Sequence, residues 1–301
     1  MPYSLTRNFS FGKIKQNHSK LNKTERNGKG EKQKMKKKIL AALTAGILTT
    51  GLMTGTVFAA DTEVKGDENL KGEVYAFIAA SLSNSMEDRY KDFNELYPNV
   101  TIYYSADSSG TLQTQIEEGL EADVFMSAAK KQMTALDEEG MIASDTITDL
   151  LENKIVLIVP TGNEKKLEKF EDIENADSIA LGDPASVPAG RYAQEALTNL
   201  GIWDKIQDKV SFGTNVTEVL NQVAAASADA GIVYATDAAS MADQVEVVAE
   251  APEGSLAKKV IYPVAVVKGT AHEEVAKEFV AFLQTDKAIT VFEEYGFSSA
   301  Q

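Results

Sequence analysis

The chain has 301 residues, 44% of them hydrophobic, and a formal net charge of −15. Residues 1–38 hold twelve Lys and Arg against two Glu, residues 39–60 hold no charge, and the rest holds 18 basic and 43 acidic residues, a net charge of −25. So acidic a body excludes nucleic acid and an anionic membrane surface as partners, and its self-repulsion favours a monomer. The lack of cysteine excludes disulfides, thiolate metal sites, a cysteine nucleophile and a lipid-modified N-terminal cysteine.

The first 60 residues read as targeting sequence. Residues 1–34 are polar and basic without apolar periodicity, and we interpret them as a leader or as sequence upstream of a true start at Met35. Residues 35–60 begin with lysines, continue as an apolar stretch and end in the small-residue pattern Val57-Phe58-Ala59. This layout predicts a signal peptide cleaved near Ala60, with an uncleaved membrane anchor as the alternative. Either way the protein is expected to be exported, to a periplasm or to the outer face of the cytoplasmic membrane.

Beyond the signal, apolar strand-like runs alternate with helical patterns. The predicted strands are residues 74–79, 100–104, 124–127, 155–159, 179–182, 231–234, 245–248 and 260–267. The predicted helices are residues 84–96, 111–118, 131–139, 192–200, 216–226, 273–283 and 287–295. Alternation of this kind predicts an α/β protein with open, mainly parallel sheets that carry helices on both faces.

Two segments predict a division into two lobes with a ligand cleft between them. A long apolar strand at residues 154–160 follows residues 142–153, which we expect to be helical, and the strand at 260–268 is long enough to cross between two bodies. Pro263 in that second strand indicates a sheet edge or a crossing. We therefore expect one lobe of residues 70–153 plus 264–301 and a second lobe of residues 154–263.

Four helix starts share one chemistry. Ser81 and Ser109 each follow a strand and precede a helix, and Ala189 and Val216 lie in small-residue or capped turns that open later helices. The first N–H groups of a helix have no intrahelical acceptor, and with the helix dipole they form a site for an anion. Tyr234 ends a strand and adds a phenolic donor. In open α/β sheets ligands bind where helices begin, so these residues are expected to meet in the cleft.

The same stretches resemble the molybdate-binding proteins of ABC importers across residues 72–298. The resemblance rests on the segments Ala79-Ala80-Ser81-Leu82, Ser108-Ser109-Gly110-Thr111-Leu112, Gly182-Asp183-Pro184, Val187-Pro188-Ala189-Gly190, Gly231-Ile232-Val233-Tyr234 and Tyr262-Pro263-Val264-Ala265-Val266. It implies a two-lobed periplasmic binding protein of the second type. Molybdate or tungstate is then the ligand, the membrane permease of an ABC transporter is the partner, and no cofactor or catalytic residue is expected.

The resemblance also implies the roles of individual residues. The hydroxyl groups of Ser81, Ser109 and Tyr234 would bind the oxyanion, together with the backbone amides of both serines, Ala189 and Val216. Molybdenum would thus be held only as its oxyanion, through these residues. Residue 110 is Gly where some relatives have Ser, which keeps Ser108 as the alternative second hydroxyl.

Three other functions stay open at this point. Sulfate or another small oxyanion could occupy the same site, because only the size of the cavity would reject sulfate. A hydrolase is disfavoured, because His272 is the only histidine beyond residue 60 and is expected to be a solvated residue at a helix start. A metal-cation receptor, suggested by the acidity and by Tyr103 and Tyr104, is disfavoured because adjacent strand residues point to opposite faces.

Overall fold

The computed structural model describes residues 66–301, so the predicted leader and signal peptide lie outside the described residues. The described strands are β1 (Lys71–Ala79), β2 (Asn99–Asp107), β3 (Val124–Met126), β4 (Thr148–Asn153), β5 (Ile155–Pro160), β6 (Ile179–Gly182), β7 (Val210–Gly213), β8 (Ala230–Tyr234), β9 (Val245–Glu250), β10 (Val260–Val266) and β11 (Ser298–Ser299). They form two separate sheets, in agreement with the α/β prediction, but both sheets are mixed rather than mainly parallel, since five of the nine strand pairs are antiparallel.

Helices connect most of these strands. The α-helices are α1 (Ser83–Leu96), α2 (Ser109–Glu117), α3 (Lys130–Glu138), α4 (Pro188–Asn199), α5 (Trp203–Ile206), α6 (Val216–Ala224), α7 (Ala235–Ser240), α8 (Glu273–Leu283) and α9 (Asp286–Glu294). Short 3₁₀ turns occupy Ala80–Leu82, Ser144–Thr146, Phe170–Asn175 and Gln207–Lys209. In the described part of the chain, no helix combines the length and the hydropathy that a membrane span requires.

The first sheet has the strand order β11-β4-β10-β3-β1-β2. Strands β2, β1 and β3 pair in parallel, whereas β10 is antiparallel to both of its neighbours, β3 and β4. Four of the six strands therefore run in one direction, and β10 and β11 run in the other. The carboxyl ends of β1, β2 and β3 consequently lie at one edge, which is where Ser81, Ser109 and Ala128 follow.

The second sheet has the order β7-β6-β8-β5-β9. Strands β7, β6 and β8 are parallel, and β5 is antiparallel to β8 and β9. The chain enters this sheet directly after Lys154, because β4 belongs to the first sheet and β5 to the second. It returns through residues 251–259, between β9 and β10.

The core follows the alternation of side chains along the strands. In β1, Ala76 and Ile78 belong to a cluster that extends through both sheets, whereas Phe77 belongs to a second cluster with Leu112 and Phe125 under α2 and α3. Successive residues of a strand point to opposite faces, so β1 is covered on both sides. A strand buried on both faces is continuously apolar, which is why this run was recognisable in the sequence.

Three details of the predicted elements were wrong. Residues 142–153 are not helical: they contain a 3₁₀ turn and β4, which is held between β10 and β11. The strand at Val260–Val266 does not cross between the two sheets, because it pairs only with β3 and β4 of the first. Pro263 lies in the sheet interior, and the register shift between Tyr262 and Pro263 accommodates its missing N–H as a bulge.

Candidate functional site

Ser81 lies in the 3₁₀ turn that joins β1 to α1. Its hydroxyl oxygen is 2.9 Å from the hydroxyl oxygen of Tyr262, a fully buried residue of β10. Among the five residues predicted to bind an oxyanion, only Ser81 lines a groove of about 700 Å³, which helices α6 and α7 border from the other side. The first predicted hydroxyl is therefore accessible and is held by a defined neighbour.

Ser108 and Ser109 have different tasks at the start of α2. Ser108 caps the helix, because its hydroxyl accepts a hydrogen bond from the N–H of Thr111 at 3.1 Å. Ser109 is fully buried, and its hydroxyl accepts a hydrogen bond from the N–H of Ala128 at 2.9 Å. The hydroxyl of Ser109 thus retains its own proton for donation to a further group.

In the second sheet, the predicted site residues lie at the starts of α4 and α6 and have apolar side chains, so only their backbone N–H groups can donate. Ala189 and Val216 are the second residue of α4 and the first residue of α6, and both are at least 96% buried. Asn215 caps α6 by accepting from the N–H of Glu218 at 3.0 Å, which leaves the first N–H groups of the helix outside the cap. Pro188 at the first position of α4 has the fixed φ that a helix start requires.

Tyr234 lies at the end of β8 and reaches the first sheet. Its hydroxyl donates to the carbonyl oxygen of Ala128 at 3.3 Å, so Ser109 and Tyr234 bond to the same residue, one to its N–H and the other to its C=O. The Tyr234 ring also packs edge-on against the ring of Tyr262 at 5.4 Å. Burial raises the pKa of the Tyr234 phenol well above its ordinary value, so the hydroxyl remains protonated and able to donate.

Further hydrogen bonds join the two sheets around these residues. The N–H of Gly110 donates to the carbonyl of Ser186 at 2.9 Å, and Asn215 donates to the Asp107 carboxylate at 3.3 Å. A Cβ added to Gly110 would stand 2.4 Å from the Ser186 carbonyl oxygen. Since no real Cβ approaches an oxygen so closely, only glycine allows this contact between the sheets.

Three carboxylates that the sequence pattern did not predict lie beside residues of the predicted site. Asp107 accepts from the N–H of Ser108 at 2.7 Å, and Glu218 accepts from the N–H and hydroxyl of Thr214, which lowers the pKa of Glu218. Asp237 is buried in α7, where loss of solvent raises its pKa to about 7 against the opposing effect of the Tyr234 N–H. Two of these carboxylates already accept backbone donors at 2.7 Å, which limits their availability to a ligand.

Two residues that were not predicted to belong to the site, Tyr262 and Asn153, form a hydrogen-bonded group next to Ser81. Asn153 ends β4, and its amide nitrogen donates to the hydroxyl groups of Thr236 at 2.9 Å and Tyr262 at 3.2 Å. The chain passes into the second sheet immediately after Asn153, and Thr236 lies in α7. The only sequence signal was indirect: Tyr262 stands beside the mid-strand Pro263, where the strand has to bulge.

The other candidates from the sequence lie elsewhere. His272 lies at the N-cap of α8, as predicted, and its side chain is partly exposed, but it also has partners: its Nδ1 is 3.2 Å from both carboxylate oxygens of the buried Asp123, and its ring stacks on Tyr75. Tyr103 stacks on Tyr75 whereas Tyr104 packs on Tyr90, so the adjacent tyrosines do face opposite ways. Residues 66–301 contain no cluster of three or more His, Cys, Asp or Glu side chains able to hold a metal ion.

Comparison with known proteins decides the family. Residues 74–298 match the family described as bacterial extracellular solute-binding protein. The chain belongs to this family. The solute-binding protein is 39% identical over 267 residues to the molybdate-binding protein ModA of Haemophilus influenzae, an alignment that covers 87% of this chain and 99% of that protein.

Solved structures agree on the fold. The periplasmic molybdate-binding protein of Azotobacter vinelandii superposes with a TM-score of 0.67 at 22% identity, over 76% of this chain and 100% of that one. The sulfate-binding protein SubI of Mycobacterium tuberculosis gives a TM-score of 0.66 at 16% identity, over 76% and 87% of the two chains. The predicted periplasmic binding protein fold is therefore confirmed. Since a molybdate-binding and a sulfate-binding protein share it almost equally, the fold alone does not select the anion.

Proposed function

We propose that this solute-binding protein is an exported receptor that captures molybdate, and tungstate as well, and delivers it to the membrane permease of an ABC importer. It acts by binding, without a catalytic residue or a cofactor. The proposal combines two kinds of support, the 39% identity to a protein named for binding molybdate and the chemistry of the residues between the two sheets.

The observation that carries the proposal is the convergence of uncharged donors from both sheets. Ser109 and Tyr234 meet at Ala128, and the Tyr234 ring packs against Tyr262, which bonds to Ser81. We assign the hydroxyls of Ser81, Ser109 and Tyr234 and the backbone amides of Ala189 and Val216 to the oxyanion. The commitment of Ser108 to capping α2 supports Ser109 as the second serine.

The chemistry of these donors favours a fully deprotonated tetrahedral dianion. Each hydrogen bond to a charged oxygen contributes about 1.5–3 kcal/mol, so several uncharged donors together can offset the acidity of the surrounding protein. A protonated phosphate brings a hydrogen that needs an acceptor, and a buried polar group without a partner costs about 1–3 kcal/mol. Molybdate, tungstate and sulfate all lack that hydrogen, and only the size of the cavity distinguishes sulfate from the other two.

Binding is proposed to draw two lobes together. We assign residues 70–153 plus 260–301 to one lobe and residues 154–259 to the other, because β10 pairs wholly within the first sheet, which moves the predicted boundary from residue 264 to residue 260. The hinge is proposed to lie in the two segments that connect the sheets. A ligand that bridges both lobes shifts the population towards the closed form, which then docks onto the permease. The Gly110–Ser186 hydrogen bond is a contact of that closed form, and the single hydrogen of the Tyr234 hydroxyl, which bonds to the Ala128 carbonyl here, turns to the ligand when it is bound.

Isothermal titration of the purified protein with molybdate, tungstate, sulfate and phosphate tests the proposal. Strong binding of molybdate and tungstate, weaker binding of sulfate and no binding of phosphate is the expected order. Strong heat with sulfate alone would instead assign the protein to sulfate transport. Binding of phosphate without molybdate would contradict the whole proposed chemistry of the site.

A further inference from the structure

The hydroxyl of Ser81 has a neighbour that decides what it can do for a ligand. Tyr262 is completely buried in β10, between β3 and β4, and its hydroxyl oxygen is 2.9 Å from that of Ser81. Each of these two hydroxyls has a single hydrogen, so either could be the donor. If Ser81 donates to Tyr262, its hydrogen is no longer available to an anion. If Tyr262 donates to Ser81, that hydrogen remains available.

Asn153 settles the direction of this hydrogen bond. The side-chain oxygen of Asn153 accepts from the backbone N–H of Lys154 at 2.8 Å, and a backbone N–H can only donate. The orientation of the amide is thereby fixed, with its nitrogen facing Tyr262 at 3.2 Å and Thr236 at 2.9 Å. An amide nitrogen carries two hydrogens and cannot accept, so the hydroxyl oxygen of Tyr262 is the acceptor.

The hydrogen of Tyr262 therefore points to Ser81. Burial raises the pKa of the Tyr262 phenol well above its ordinary value, so the phenol keeps its hydrogen at neutral pH. Among the described residues only Asn153 and Ser81 bond to the Tyr262 hydroxyl, and Asn153 donates, so Ser81 is the acceptor for a phenol hydrogen that would otherwise be buried without a partner. Ser81 consequently accepts from Tyr262, and its own hydrogen remains available to another acceptor.

We propose that Asn153 and Tyr262 are positioning residues that hold Ser81 as a hydrogen-bond donor, and that they thereby select against oxyanions that carry a proton. The proposal rests on the function inferred above, because it assumes that Ser81 contacts the ligand. If these hydrogen bonds ran in the opposite direction, with Ser81 donating to Tyr262 and Tyr262 donating to residue 153, a lone pair of Ser81 would face the ligand. Such a lone pair repels a dianion but accepts the hydrogen of a protonated anion such as hydrogen phosphate.

The hydrogen bonds that join Ser81, Tyr262 and Asn153 continue to α7, the helix that follows β8 of the second sheet. Asn153 is the last residue of β4, and its other amide hydrogen bonds to Thr236 in α7. The orientation of Ser81 is therefore supported by a residue from each sheet and by the backbone of the connecting Lys154. Because Asn153 bonds to both Tyr262 and Thr236, the approach of the two sheets stabilises the orientation in which Ser81 accepts from Tyr262 and keeps its own hydrogen for donation.

The test is titration of molybdate and of phosphate into the wild type and into Tyr262→Phe, Asn153→Asp and Ser81→Ala. Tyr262→Phe removes the hydrogen that holds Ser81, and we expect molybdate affinity to fall about five- to tenfold. Asn153→Asp keeps the acceptor for the Lys154 N–H but removes the donor to Tyr262. Tyr262 would then donate to the new carboxylate, and Ser81 would donate to Tyr262. We expect a larger loss of molybdate affinity there, and a molybdate-to-phosphate selectivity reduced about tenfold or more.

The matched control is Tyr90→Phe, since Tyr90, in α1, is as deeply buried as Tyr262 and its hydroxyl has no hydrogen-bond partner among the described residues. That substitution is expected to leave molybdate affinity unchanged. A Tyr262→Phe/Ser81→Ala double variant separates positioning from general stability. In the Ser81→Ala background the loss of the Tyr262 hydroxyl should change affinity less than twofold, because there is no longer a serine to orient.

The outcomes distinguish the two proposals. A wild type that binds no molybdate contradicts the proposed function itself. A wild type that binds molybdate and loses affinity in Ser81→Ala but not in Tyr262→Phe overturns the positioning role. Fully additive effects in the double variant also overturn it, because they would show that Tyr262 acts independently of Ser81. Thermal unfolding without ligand identifies a variant that has failed to fold, and Tyr262→Phe then carries the test in place of Asn153→Asp.

Discussion

The helix starts of the two sheets offer hydrogen bonds in different ways. Those of the first sheet carry hydroxyl side chains, Ser81 and Ser109, and each hydroxyl is held by a neighbour at 2.9 Å. Those of the second sheet carry Ala189 and Val216, whose side chains are apolar, so their contribution comes from the backbone. Removal of a side chain can therefore test the first half of the site. The second half can be tested only by changes that move the backbone or the charge around it.

Close packing fixes the backbone of the second half. A Cβ added to Gly190 would stand 2.0 Å from the carbonyl oxygen of Gly182, so β6 and the first turn of α4 are in direct backbone contact. This contact sets the place of the Ala189 N–H relative to the sheet. A donor defined by backbone contact cannot rotate, whereas a serine hydroxyl can rotate unless a neighbour such as Tyr262 prevents it.

The largest expected effect concerns charge in the second half. Burial raises the pKa of Asp237 from 3.8 to about 7, so between these pH values the unfolded chain ionises while the folded protein does not. The unfolded state then binds fewer protons, and stability falls as the pH rises from about 4 to about 7. Asp237→Asn removes this dependence. The difference in free energy of unfolding between the variant and the wild type should therefore be roughly 2–4 kcal/mol more favourable to the variant at pH 8 than at pH 4.

Urea denaturation of the wild type and Asp237→Asn at a series of pH values provides the measurement. Glu218→Gln is the contrasting control from the same sheet, because the pKa of Glu218 is lowered by its bonds to Thr214. Its contribution has the opposite sign, being present above the ordinary pKa of a glutamate and lost as the pH falls through the lowered value. Parallel pH profiles for the wild type and Asp237→Asn would mean that Asp237 is not a buried neutral acid.

The second prediction tests the contact between the two halves. Gly110→Ala places a methyl group 2.4 Å from the Ser186 carbonyl oxygen, so the two sheets have to separate locally at that point. Overpacking of this kind costs about 1–3 kcal/mol, which corresponds to a loss of molybdate affinity of roughly 5- to 150-fold. Titration with molybdate measures the loss, and thermal unfolding without ligand should change much less.

Ser186→Ala is the control for Gly110→Ala, because it keeps the backbone oxygen that receives the Gly110 N–H. We expect nearly wild-type affinity from it. If Gly110→Ala binds molybdate as the wild type does, the Gly110–Ser186 contact is not part of the liganded form.

The sequence predicted the parts of this protein that local chemistry determines. Pro188 at the first position of α4 and Asn215 at the cap of α6 mark helix starts by themselves, and the apolar run of β1 is continuous because both of its faces are buried. Strand β4 was missed because its pairing partners, β10 and β11, lie more than 100 residues further along the chain. The group of Tyr262, Asn153 and Thr236 was missed for the same reason, since hydrogen bonds across 83 and 109 residues leave no local pattern.

The smallest expected effect separates two adjacent serines in the first half. Ser109→Ala removes a buried hydroxyl that accepts from Ala128 and is proposed to donate to the ligand, so molybdate affinity should fall by about 1–2 kcal/mol, roughly 5- to 30-fold. Ser108→Ala removes the cap of α2 instead, and should cost about 1 kcal/mol of stability with little change in affinity. Ser109→Ala also leaves the buried N–H of Ala128 without an acceptor and so loses stability as well, which makes the molybdate affinity the measurement that separates the two serines. If Ser108→Ala lost the affinity and Ser109→Ala kept it, the ligand would be bound by the capping serine, and the assignment of the second hydroxyl would have to move by one residue.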